Sequence, residues 1–157
     1  MPRLELITEI ATTPEVCFDV ARDLDLHVRS MSQSREEAIA GRTSGLIELG
    51  EEVTWRGRHL GCVHEHTARI TAFDYPRHFR DEMIRGRFSS FVHDHYFEPS
   101  PTGTRMTDVL VFEAPLGVIG RAANTLFLSR YLRRLLLGRN RVIKQEAEAT
   151  QPHGQAT

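Results

Sequence analysis

The sequence predicts an α+β domain: a strongly curved, seven-stranded antiparallel sheet around one long C-terminal helix, with two short helices between strands 1 and 2. Three observations predict it. From Glu36 to Glu113 the chain is a succession of strand-like runs separated by Gly, Pro and Asp turn residues. Ahead of them, Thr13-Pro14-Glu15 supplies an N-cap, a proline at the first helical position and an acid in the first turn. Behind them, from Pro115-Leu116-Gly117 to about Glu148, apolar residues recur at helical spacing.

Taken in order, Leu4, Leu6, Thr8 and Ile10 alternate with Glu5, Ile7 and Glu9 as a first strand. Val16, Phe18, Val20 and Ala21 form the first short helix, and Leu24 to Met31 the second. Short helices at this point suit a cap over an open end of the sheet. The strand runs are Glu37–Ala40, Val53–His59, Cys62–Phe73, Phe79–Arg85, Phe88–Phe97 and Thr104–Phe112, joined by turns short enough for hairpins. On the long helix Leu128, Tyr131, Leu132, Leu135, Val142 and Ile143 share one face. Arg130, Arg133, Arg134, Arg141 and Lys144 share the opposite one, as a solvated outer stripe or a surface for an acidic partner. The domain is expected over residues 1–148, with a disordered tail over 149–157.

Composition narrows the class. With 157 residues, 40% hydrophobic and 26% charged, the chain fits one globular core. A net charge of −1 gives no global field toward nucleic acid or an anionic membrane. No signal peptide and no apolar run of about 20 residues is visible, so a cytoplasmic protein without stable membrane insertion is expected, as monomer or homodimer. Cys17 and Cys62 lack metal-type spacing and read as reduced, structural thiols.

A bent sheet cannot touch a straight helix along its whole length, so a cavity is expected between them, and such cavities are default ligand sites. Strand parity sharpens this. Phe91 and Phe97 share a face with His93 and His95. Met106, Leu110 and Phe112 share one with Asp108, and Phe79 and Met83 share one with Asp81. Ala68, Ile70 and Ala72 share a face with His64 and His66, which point into the cavity or sit wet at the sheet edge. A turn centred on Ser100-Pro101 would set His93 opposite Asp108 and His95 opposite Met106, close enough for an Asp–His pair. Arg139 falls in the apolar helix face, where it either pairs with Asp81 or Asp108 or snorkels past the helix end. Trp55, beside Val53, is an aromatic wall. The expected ligand contacts are Trp55, Asp81, Met83, Phe91, His93, His95, Met106, Asp108, Tyr131, Leu135 and Arg139. No cofactor or metal is assigned, although a His-x-His pair with an Asp is also a metal-binding pattern.

An ordered set of segments resembles a known family: Ala21 to His27, Gly41 to Gly45, Gly50 to Trp55, Phe79 to Met83, His93-Asp94-His95, Gly103 to Asp108, Pro115-Leu116-Gly117 and Arg139-Asn140. Together they resemble a bacterial branch of the START-like, or SRPBCC, superfamily, from the first strand to about Glu148. The resemblance implies the helix-grip fold. The superfamily includes lipid carriers, hormone receptors, coenzyme-Q-binding proteins and polyketide aromatase/cyclases, and members of this branch are labelled cyclase/dehydrase or cell-division inhibitor. Asp81, His93, His95, Asp108 and Arg139 carry over as cavity-facing positions. Gly138 departs from the aromatic that relatives often carry before the helix arginine, which opens the cavity end or loosens the helix.

Three functions follow as expectations. The first is binding of a small, largely hydrophobic molecule (lipid, quinone, polyketide or aromatic) oriented by the His/Asp/Arg cluster. The second is a cyclase/dehydratase-type enzyme with His93 and Asp108 as its acid–base pair. The third is a regulatory interaction module using the arginine stripe.

Overall fold

The computed structural model describes residues 1–114 and 121–150. The elements run β1 (Arg3–Ile10), α1 (Pro14–Ala21), α2 (Leu24–Ser30), β2 (Glu37–Gly41), β3 (Glu52–His59), β4 (Cys62–Asp74), β5 (His78–Arg85), β6 (Ser90–Ser100), β7 (Gly103–Glu113) and α3 (Arg121–Ala149). The seven strands form one antiparallel sheet in the order β1-β7-β6-β5-β4-β3-β2. Strands 1 and 2 are thus its opposite edges, and α1 and α2 carry the chain from one edge to the other. The expected sheet-ending Pro115-Leu116-Gly117 lies outside the described residues, as does residue 151 onward of the expected tail. Ala149 is helical, one residue past the expected helix end.

Local chemistry explains the cap. Pro14 opens α1 behind Thr13, whose backbone is extended. Asp23 caps α2 by accepting from the backbone N–H of Asp25 and Leu26 at 2.9 and 3.2 Å. From α1, Phe18 drives into the core and meets Phe73, Phe79 and Phe97 at ring separations of 5.1 to 5.3 Å. It is fully buried, and removing a side chain of this size from water stabilises the fold by about 1.5–3 kcal/mol.

The expected register differs in two places. The β6–β7 hairpin turns on Pro101-Thr102, one residue later than expected, so His95 pairs with Asp108, His93 with Leu110 and Phe97 with Met106. Moving a turn centre by one residue shifts partners by two, which leaves every side chain on its expected face. In β4 a bulge between Ile70 and Ala72 interrupts the alternation. Ala72 therefore does not continue the inward face of Ala68 and Ile70; Phe73 takes that place, against Phe18.

The helix α3 packs chiefly against β1, α1 and α2. Leu132, Leu136, Ile143 and Ala147 are buried, whereas Arg130, Arg133, Arg134 and Arg141 are exposed. Lys144 leaves the stripe and is tied to the Glu9 carbonyl and to Glu148. Polar ties cluster on the C-terminal half of α3: Arg139 to the Ala21 carbonyl, Asn140 to Asp108, and Glu148 to the Ala11 N–H. Earlier in the helix, among the described residues, a single hydrogen bond joins Tyr131 to the sheet at His59. No described helix is long and apolar enough to cross a membrane.

Candidate functional site

Where α3 stands off the sheet, a hollow of about 340 Å³ remains between the helix, α2 and strands β3 to β6. Its wall is mostly apolar, from Leu24, Ile47, Val53, Ile70, Leu132 and Leu136 among others. Of the expected contacts, Trp55, Asp81, Met83, Phe91, His93, His95, Tyr131, Leu135 and Arg139 reach it. Met106 does not: it is fully buried in the core cluster that includes Phe18 and Phe97. Asp108 is also fully buried and stands behind the histidines instead of in the wall.

The two histidines of β6 are held from both sides. His93 Nε2 lies 3.0 Å from Asp108 Oδ1. His95 Nε2 lies 2.9 Å from Asp81 Oδ2. His95 Nδ1 lies 2.8 Å from Asp108 Oδ1 as an ion pair. The Asn140 amide donates to Asp108 Oδ2 at 2.7 Å. Arg139 does not snorkel: it is 6% exposed, donates to the Ala21 carbonyl at 3.0 Å and stands 3.7 Å from Asp108. The sequence assigned Asn140 no role, though its spacing between Leu136 and Ile143 puts it on the buried stripe.

This enclosure separates the two imidazoles. Burial disfavours charge on both. For His95, hydrogen bonding and charge from Asp108 and Asp81 outweigh burial, and its pKa is raised. For His93, burial and the adjacent His95 prevail over Asp108 and Asp81, and its pKa is lowered. Burial also opposes ionisation of Asp81, but the His95 hydrogen bond and the charges of His93, His95 and Arg139 bring it down to about 2. Asp108 is held well below the ordinary carboxylate range because the bonds from His93 and His95 overcome its burial. The two shifts have opposite signs, so a proton is favoured on His95 over His93, where two carboxylates flank it and pair the buried charge.

A second polar group was missed in the sequence. Glu36, 4% exposed, accepts from His27 Nε2 at 2.8 Å and lies 3.1 Å from His59 Nε2. The Ser34 hydroxyl donates to the same carboxylate at 3.4 Å. His59 Nδ1 meets the Tyr131 hydroxyl at 2.9 Å, and His27 stacks on Trp55 at 4.2 Å. Glu36 passes over β3 at Gly57, where a Cβ would stand 2.7 Å from Glu36 Cγ; glycine is what admits the carboxylate. Burial raises the Glu36 pKa, but bonds from His27 and His59 prevail and hold it far below the usual range. His64 and His66 are half-buried in the wall of the hollow, and His66 senses both Glu36 and Asp81. The missing signal was available: His27 falls between Leu24 and Met31 on the buried stripe of α2, and His59 keeps the parity of Val53, Trp55 and Gly57.

No family model and no curated protein sequence matches the chain. Solved structures do. The TTHA0849 protein of Thermus thermophilus superposes with a TM-score of 0.70 at 19% identity, over 90% of this chain and 97% of that one. The Zhui aromatase/cyclase of a Streptomyces species gives a TM-score of 0.75 at 12% identity, over 94% and 93%. The major latex-like protein 151 of Panax ginseng gives 0.67 at 16% identity, over 93% and 97%. At these identities the likeness is one of architecture: the chain has the helix-grip fold.

Proposed function

We propose that the chain binds a small, largely apolar molecule in the hollow, with a hydroxyl, carbonyl or carboxylate of that molecule turned toward Asp81, His93, His95 and Arg139. The observation that carries this reading is a hollow of about 340 Å³, apolar over most of its wall and interrupted by a closed set of charged groups. That volume is at the lower end of ligand pockets, which favours a compact aromatic, quinone or cyclised polyketide over a long acyl chain. The Zhui neighbour is an aromatase/cyclase, consistent with an occupant of that size. Both cysteines are free, in keeping with a reducing cytoplasm, where the chain acts as monomer or homodimer.

The test is thermal shift against aromatic, quinone and fatty-acid libraries, with native mass spectrometry of freshly purified protein. A ligand at a hundred times its Kd stabilises by about 2.7 kcal/mol, a shift of several degrees. Leu135→Trp, which fills the hollow from α3, should remove that shift while the protein stays folded. Libraries that never move the melting temperature, together with no co-purified mass, would overturn the proposal.

One observation favours a second reading, an acid–base enzyme of the cyclase/dehydratase kind. His93 is in the wall of the hollow with Asp108 fixing Nε2, so its Nδ1 lone pair is free for a proton. In that case His93→Ala abolishes turnover of the ligand and spares its binding; equal loss of both returns the site to a binding role.

A further inference from the structure

One carboxylate orients both histidines from behind. Asp108 Oδ1 engages Nε2 of His93 at 3.0 Å and Nδ1 of His95 at 2.8 Å. The opposite nitrogens, His93 Nδ1 and His95 Nε2, then turn to a single oxygen, Asp81 Oδ2, at 3.9 and 2.9 Å. These three donor atoms lie within 4.8 Å of one another. Asp81 is fixed by its place on β5, cross-strand from His93, and its side chain remains 26% accessible on the side of the hollow.

We propose that Asp81, His93 and His95 form a binding site for a first-row divalent transition metal of the zinc and iron(II) class, with its remaining coordination positions open to the hollow. The separations of the two nitrogens from Asp81 Oδ2 are ones a metal can bridge. A metal about 2.1 Å from each donor sees the Asp81–His95 pair at roughly 90° and the Asp81–His93 pair at roughly 140°. A small turn of the His93 ring brings the second angle toward regular geometry. Two imidazoles and one carboxylate select such a metal over calcium or magnesium, which prefer all-oxygen sites. The Asp108 contacts are the support such sites use, because a ligating histidine gives its other nitrogen to a carboxylate. Asp108 is itself fixed, by Asn140 at 2.7 Å and by Arg139 at 3.7 Å. The proton that joins His95 to Asp81 in the metal-free protein occupies the place of the cation.

The inference shares the polar end of the hollow with the proposed ligand site and adds to it a Lewis acid that takes the ligand's oxygen directly. It stands on the three donors, whatever apolar molecule binds. It is tested with tag-free protein dialysed against zinc and, separately, cobalt(II), read by metal analysis, calorimetry and the visible spectrum of cobalt. One metal per chain is expected. Asp81→Asn and His95→Gln should each weaken binding at least roughly tenfold, and Asp108→Asn by roughly 10- to 100-fold. His59→Gln, in the Glu36 group, should leave it unchanged.

Should those variants fail to fold, the wild-type protein answers by NMR: zinc should move the ring nitrogen signals of His93 and His95 and leave those of His27, His59 and His78. Overturning results are no stoichiometric metal, equal affinity in Asp81→Asn and His95→Gln, or zinc-dependent shifts confined to the other histidines. A hydrogen-bonded cage alone would give the first of these, and the library thermal shift would still report on the apolar hollow.

Discussion

Replacing Asp108 with Asn is the most informative single perturbation of the polar cluster. The side chain is fully buried and lies against His93, His95, Asn140 and Arg139 at 3.0, 2.8, 2.7 and 3.7 Å. The amide keeps the shape and one acceptor but removes the charge. Arg139 then has no carboxylate within 4 Å among the described residues, because Asp108 is its only such partner. His95 keeps only Asp81. Breaking a buried pair by neutralising one partner costs about 3–5 kcal/mol. In a domain of this size that lowers the melting temperature by roughly 6–20 °C. Trp55, the one tryptophan, lines the hollow and reports unfolding in urea by its fluorescence. The midpoint should fall while the slope stays constant. Adding Arg139→Gln removes the stranded cation, so the double variant should be at least about 1 kcal/mol more stable than additivity predicts. A loss below about 1 kcal/mol for Asp108→Asn, or strict additivity, would refute the claim that this carboxylate neutralises buried cations.

Acid should reveal the same network. The folded pKa of Asp81 is depressed to about 2, so its contribution is complete above the unfolded value near 3.9 and is lost as pH falls through the folded one. That removes about 2–3 kcal/mol between roughly pH 4 and pH 2, and Asp81→Asn should flatten that limb of a stability–pH curve. His95, raised in the fold, acts in the opposite sense: its stabilisation is full below about pH 6.5 and fades as pH rises through its folded pKa, a loss that His95→Gln should abolish. Gly138→Ala should stabilise the protein by about 1 kcal/mol, since a Cβ there meets nothing within 4 Å and alanine is the better helix former. Chemical denaturation measures it; a destabilisation would mean that the residue has a packing role.

Strand periodicity made most of the sheet legible, because a period of two survives a wrong turn centre. Placing the β6–β7 turn one residue early mispaired His93 with Asp108 in register but still put both on the inner face, where they meet diagonally. The bulge in β4 was not legible: it depends on Phe73 finding Phe18 across the core, a contact far apart in sequence. The polar cluster showed itself as acids and imidazoles on otherwise apolar strand faces. The Glu36 group was harder to read: His27 and His59 each keep the period of their own element, but with Glu36 in a loop no common period joins the three. Met106 obeyed its parity and still missed the hollow, because parity gives the face of a residue and not its depth.

The uneven fastening of α3 has a mechanical consequence. Among the described residues, Arg139, Asn140, Lys144 and Glu148 fix one half by polar ties and Tyr131 alone does so in the other, so the helix works as a clasp riveted at one end. Releasing the catch at His59 and lifting Leu132 and Leu136 from the sheet would let the near end swing outward without breaking a strand pair. Admitting a bulky guest would then cost that hydrogen bond and the packing of Leu132 and Leu136 against Leu6, Leu110 and Phe112, instead of the unzipping of a sheet.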